Sequence, residues 1–206
     1  MASSRTFSAP LEALDAAAES GMSRLRGLPG ADHLLYTASA VGDHSLIWLV
    51  LGAVRATRSG RDRLAAARLG VGLAIESALV NGVIKSVVGR RRPSGATWHP
   101  RPFRQPRTSS FPSGHASSAA CALVLLADED PAWPLYIVIA FAVTASRAYV
   151  RIHHASDLLA GLAFGTALGL AVRRLAPLDR LDRPGQPRAD GPGGPHSEES
   201  TAPPPR

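Results

Sequence analysis

"LLAGLAFGTALGLAV", residues 158–172, decides the fold. The run holds no charged residue, and its apolar side chains surround the whole helical circumference. A helix on the surface of a soluble protein confines them to one stripe. Gly161, Gly165 and Gly169 recur every four positions. Glycine at that density penalises a helix in water, but in lipid small residues at this spacing let two helices approach closely. The stretch therefore reads as a membrane helix.

Four more apolar runs lie upstream. They cover residues 34–54, interrupted by Asp43 and His44; 69–88, which contains Glu76, Asn81 and Lys85; 116–127; and 133–150. Several approach the roughly 17–25 residues that a spanning helix needs, and 116–127 is short. The sequence predicts an all-α fold, a polytopic membrane helical bundle of about five transmembrane helices. Residues 8–28 add an N-terminal interfacial helix with Leu11, Leu14, Ala18 and Met22 along one side. The predicted organisation is an N-terminal segment over 1–30, a membrane-embedded domain over 31–176 and a disordered, Pro/Gly-rich tail over 177–206. Glu12, Asp15 and Glu19, with no apolar core before residue 30, argue against a cleavable secretory signal.

The chain has 206 residues, a formal net charge of +7 and a single cysteine, Cys121. One cysteine excludes an internal disulfide, and inside an apolar helix it packs as a small hydrophobe. Of the 23 basic residues only Lys85 is lysine, so arginine number says little about partners and the lysine stands out. Five arginines lie in residues 55–68, and Arg173 and Arg174 follow the last run. By the positive-inside rule both places are cytoplasmic, and the even number of spans between them agrees. Residues 89–111 then face the extracytoplasmic side. Their arginines break the rule there, which a binding site would explain.

Three polar clusters fall at that same end of the helices. Lys85 and Arg92-Pro93 stand at the exit of the second run. Pro112-Ser113-Gly114-His115 stands at the entry of the third. Ser146-Arg147, His153-His154 and Asp157 bridge the last two. Lys85, Arg92 and Arg147 suit the oxygens of a phosphoryl group. Ser113 offers a hydroxyl, and Gly114 lets a helix N-terminus present its N–H groups to an anion. His153 and Asp157, spaced i,i+4, share a helical face, so a carboxylate there would fix the imidazole tautomer and leave the other nitrogen as a nucleophile. His154, at i,i+3 to Asp157, competes for that role. His115, on another helix, is free to act as general acid and base.

The ordered pattern K-x6-R-P, P-S-G-H and S-R-x5-H-x3-D over residues 85–157 resembles the phosphatidic acid phosphatase type 2 family. That family shares its site with bacterial acid phosphatases and vanadium-dependent haloperoxidases. The resemblance implies a bacterial lipid phosphatase in which His153 attacks phosphorus, Asp157 orients it and His115 protonates the leaving oxygen. Lys85, Arg92, Ser113, Gly114 and Arg147 would bind the phosphate. Motif spacing from Arg147 favours His153 over His154. The implied partners are a phosphorylated membrane lipid and the bilayer, without nucleic acid, metal or cofactor. Membrane members commonly have six spans, one more than counted here.

Polyprenyl phosphates or diphosphates and decaprenyl-sugar phosphates come first as substrates, followed by phosphatidylglycerol phosphate and phosphatidic acid. A vanadate-dependent haloperoxidase and a non-catalytic lipid-binding or transport protein are the alternatives. Arg90 and Arg91 read as solvated or headgroup contacts, and Glu76 and Asn81 as hydrogen-bonding groups inside the bundle. Asp128, Glu129 and Asp130 read as caps of a turn rather than as metal ligands. Trp98 and His99 are surface decoration by default.

Overall fold

A computed structural model describes residues 3–93 and 108–182 of the chain. Trp98, His99 and residues 183–206 of the tail lie outside the described residues. Among those described, the order is α1 (Ser3–Leu25), α2 (Pro29–Val41), a 3-10 turn (Asp43–Ser45), α3 (Leu46–Ala56), α4 (Gly60–Ser77), a π-helical stretch (Ala78–Ile84), α5 (Lys85–Val88), α6 (Gly114–Leu126), α7 (Trp133–Tyr149), α8 (Ala155–Leu175) and α9 (Leu178–Asp182).

Gly60–Val88 forms one continuous helix of 29 residues, and α8 has 21. Both are long and apolar enough to cross a membrane. The run at 34–54 is not straight: α2 and α3 meet at a 64° bend, and the pair reaches spanning length only if taken together. The apolar α6 has 13 residues and α7 has 17. Among the described residues two helices, or three with the bent pair, therefore meet the length and apolarity that the sequence reading assigned to five.

The bend has a local cause. His44 and Ser45 both adopt left-handed backbone angles, with φ of 54° and 59°. Two consecutive L-residues there interrupt the i→i−4 ladder and place Asp43 in the break.

The tightest packing joins α6 and α8, and the glycine series makes it possible. A Cβ on Gly161 would stand 2.5 Å from the Ser113 carbonyl oxygen, and one on Gly165 would overlap the Ser117 carbonyl. On Gly169 it would meet Val124 Cβ at 3.0 Å. The two backbones thus touch along three turns, which fixes the N-terminus of α6 beside that of α8. On the other flank Trp48, Leu69, Leu73, Leu125, Tyr136 and Val143 join α3, α4, α6 and α7 in the largest apolar cluster.

The bundle has two unlike ends. At one, Arg55, Arg58, Arg61 and Arg68 pair with Asp62, Asp128, Glu129, Asp130 and Asp179. Asp130 also accepts from Ala132 N and the Tyr136 hydroxyl. The 128–130 carboxylates are thus arginine partners and a turn cap. At the other end lie the sequence motifs, with α1 across them. Arg26, just after α1, donates to the Tyr149 and Ala148 carbonyls, and Met22 packs near Ala116, Ala148 and Leu158. Leu11 and Leu14 are exposed.

Candidate active site

His153 sits in the turn between α7 and α8 and is buried. Its Nδ1 lies 2.7 Å from the Ser110 carbonyl oxygen and 3.8 Å from Asp157 Oδ2. A carbonyl oxygen only accepts, so Nδ1 carries the proton and Nε2 is left unprotonated. The Ser110 carbonyl is the direct holder of the ring, and Asp157 acts on it as a nearby charge. Burial is the main influence on the imidazole. Arg92 and Arg147 add to it, and together they push its pKa from 6.5 down to about 4 against the pull of Asp157.

The direction of this shift has a consequence. An imidazole whose folded pKa is depressed stays neutral as pH falls through the unfolded value, and protonates only near the folded one. His153 is therefore expected to remain a neutral Nδ1–H tautomer between pH 5 and 8. The check is 15N NMR of histidine-labelled protein with a His153→Asn control for assignment. A titration midpoint near 6.5 would contradict the burial argument.

Asp157 caps its own helix. Its Oδ2 accepts from the His154 backbone N–H at 2.9 Å and lies 3.2 Å from His154 Nδ1. His154, the competing histidine, is thereby committed to the N-cap of α8. The other oxygen of Asp157 accepts from Arg90, which also donates to Asp15 of α1 at 2.8 Å. Arg90 is thus not a solvated surface arginine but the link between two carboxylates. Asp15 in turn accepts from the Ser156 backbone and hydroxyl at 2.8 and 2.9 Å.

The cations converge on the same region. Arg92 donates to the Ile152 carbonyl at 2.8 Å, and its Nη1 comes within 3.5 Å of His153 Nε2. Arg147 is buried and donates through Nη1 to the Ser39 carbonyl and hydroxyl, while its Nε has no partner among the described residues. Lys85 donates to Asn81 Oδ1 at 2.8 Å, one helical turn back across the π-helical stretch. A Cβ on Gly114 would be 3.3 Å from both Asn81 Oδ1 and Lys85 Nζ, so glycine is what lets the ammonium reach the α6 N-terminus. Ser113 is the N-cap of α6, its hydroxyl accepting from Ala116 N.

His115, the second residue of α6, has its Nε2 2.8 Å from Asp43 Oδ1. All eight residues singled out by the motifs therefore share one end of the bundle. Four partners escaped the sequence reading: Asp43, Arg90, the Ser110 carbonyl and Asn81 as the Lys85 acceptor. Glu76 is fully buried in α4, with Oε1 unpartnered among the described residues. No group of three or more His, Cys, Asp or Glu side chains among the described residues is arranged to hold a metal ion.

Comparison with known proteins places this geometry. The PAP2 superfamily model matches residues 65–180. The decaprenylphosphoryl-5-phosphoribose phosphatase of Mycobacterium tuberculosis is 33% identical over 140 residues, 65% of this chain and 74% of that protein. Phosphatidylglycerophosphatase B of Bacillus subtilis is 31% identical over 107 residues, 46% of this chain and 50% of that one. The crystal structure of a transmembrane PAP2 type phosphatidylglycerolphosphate phosphatase from Bacillus subtilis superposes with a TM-score of 0.61 at 23% identity, covering 86% of this chain and 90% of that one, a likeness of fold. A family match that runs from the first half of α4 through the P-S-G-H turn and the His153–Asp157 motif leaves one conclusion: this chain is a membrane protein of the PAP2 superfamily.

Proposed function

We propose that the protein hydrolyses the terminal phosphate of a membrane lipid phosphate or diphosphate through a phosphohistidine on His153. The observation that carries the reading is the unprotonated Nε2 of a buried imidazole, 3.5 Å from the Arg92 guanidinium. Attack requires an unprotonated nitrogen, and the Ser110 carbonyl selects that tautomer. Arg92, Arg147, Lys85 and the Ser113–Gly114 helix start would hold the phosphoryl oxygens. The buried Arg147 Nε calls for an acceptor, because unpaired buried donors are rare. His115 protonates the leaving lipid oxygen and then takes a proton from the attacking water. Asp157, through its charge, steadies the imidazolium that forms as His153 bonds to phosphorus.

Among substrates, a decaprenyl-sugar phosphate or another polyprenyl phosphate or diphosphate comes first, which the Mycobacterium tuberculosis relative supports by its own name. Phosphatidylglycerol phosphate, which the Bacillus subtilis relatives favour, and phosphatidic acid follow. The site would lie at the extracytoplasmic face of a multi-pass protein of the cell membrane, because the arginine-rich residues 55–68 and Arg173 gather at the opposite end.

The test is phosphate release by purified protein in vesicles carrying each of these lipids in turn. The expected outcome is release from at least one of them, unaffected by EDTA and inhibited by vanadate, whose five-coordinate adduct imitates the transition state. Lipid binding without release from any member of the panel would point instead to a non-catalytic relative.

A further inference from the structure

We propose that Asp43 is a positioning residue for His115, selecting which imidazole nitrogen exchanges protons with the substrate. The proposal rests on the reading of His115 as the general acid. Asp43 Oδ1 lies 2.8 Å from His115 Nε2 and 3.6 Å from Arg147 Nη1. One carboxylate oxygen thus addresses both the acid and a phosphate-binding guanidinium.

A carboxylate only accepts, so Nε2 of His115 carries a proton in every state that keeps this contact. The remaining nitrogen, Nδ1, is then the one that works. In the first step the His153 Nε2–P bond forms, the lipid O–P bond breaks, and the Nδ1 proton goes to the leaving oxygen. In the second the water O–P bond forms, the N–P bond breaks, and a water proton returns to Nδ1. Asp43 stays ionised throughout and balances the imidazolium charge.

The backbone supports a functional placement. Asp43 occupies the break between α2 and α3, followed by two left-handed residues, His44 and Ser45. Such conformations are costly for L-residues and persist where the surroundings impose them. Gly42 beside it is equally constrained. A Cβ there would stand 2.8 Å from Val143 Cγ1 and 3.3 Å from His115 Cδ2, so the break is seated directly on α6 and α7.

General-acid assistance matters for a poor leaving group and little for a good one, which provides the test. Asp43→Asn and Asp43→Ser are compared with His115→Ala and the unaltered protein by rapid quench, using dodecyl phosphate and p-nitrophenyl phosphate. Both Asp43 variants are expected to slow phosphoryl transfer from the alkyl ester by about 10- to 100-fold, while the p-nitrophenol burst changes by less than about threefold. The readout is a ratio within one preparation, so partial loss of folded protein does not enter. Equal slowing of both substrates, or slowing of neither, in the Asp43 variants would overturn the inference while His115→Ala still discriminates. Equal slowing in His115→Ala would overturn the reading of His115 itself, and the role of Asp43 with it.

Discussion

Replacing His153 is expected to abolish turnover, by on the order of 10⁴-fold or more, the scale of losing a covalent nucleophile. His153→Ala removes the ring but also strands the Ser110 carbonyl, so His153→Asn is the more informative variant. Its side-chain amide can still donate to that carbonyl, yet it has no nitrogen able to attack phosphorus. Both variants should lose the acid-labile, alkali-stable label that radioactive phosphate leaves on the unaltered protein. His115→Ala should differ in kind. With an activated ester it should still become labelled and then hydrolyse slowly, because the nucleophile is intact and the proton shuttle is not. Full activity in a clean His153→Asn preparation would overturn the phosphohistidine mechanism.

The second large effect is expected at the α6–α8 crossing. Gly165→Ala places a methyl group on the Ser117 carbonyl, and Gly161→Ala brings one to 2.5 Å from the Ser113 carbonyl. Both obstacles are backbone, so no rotamer change relieves them. Overpacking in a tight core costs about 1–3 kcal/mol, and these contacts belong at the upper end. For a chain of this size that corresponds to a fall in Tm of about 10 °C or failure to recover folded protein. Gly70→Ala is the control. Nothing lies within 4 Å of a Cβ at that helical position, so stability should hold or rise slightly. Thermal unfolding in detergent distinguishes the three. Gly161→Ala carries an added expectation: any protein that does fold should be impaired in phosphate release, because the strained contact is with Ser113, the cap that starts the His115 helix. A Gly165→Ala protein as stable as Gly70→Ala would refute the close crossing.

Much of this arrangement is legible in the sequence, for identifiable reasons. The glycines at 161, 165 and 169 carry the closest helix pair because a four-residue repeat of missing side chains has few other uses in an apolar helix. The motif residues meet because they fall in and just after α5, at the start of α6 and around the turn between α7 and α8, which the packing brings together. The partners that escape notice are those without a side-chain signature at the right spacing. Ser110 holds His153 through a backbone oxygen, which no residue type announces. Arg90 stands among three consecutive arginines, and only the fold shows which of them reaches Asp157. Asp43 reads as an interruption of a span, although a carboxylate inside an apolar run is costly enough to ask for a purpose. The Asn81–Lys85 pair was within reach, since an i,i+4 amide and amine commonly bond along a helix.

The length of α6 has its own consequence. Thirteen residues rise about 20 Å, some 10 Å short of a typical hydrocarbon core. Its last carbonyls therefore end inside the bundle, where Leu125 and Leu126 are buried and water does not reach. Arg55 and Arg68 supply what is missing: Arg55 donates to the Leu126 and Asp128 carbonyls and Arg68 to that of Leu125, while Asp62 and Asp128 cancel the imported charge. Two arginines thus serve as a dry substitute for the interface. The protein closes the C-terminal end of its buried central helix with a hydrophilic stopper of its own side chains.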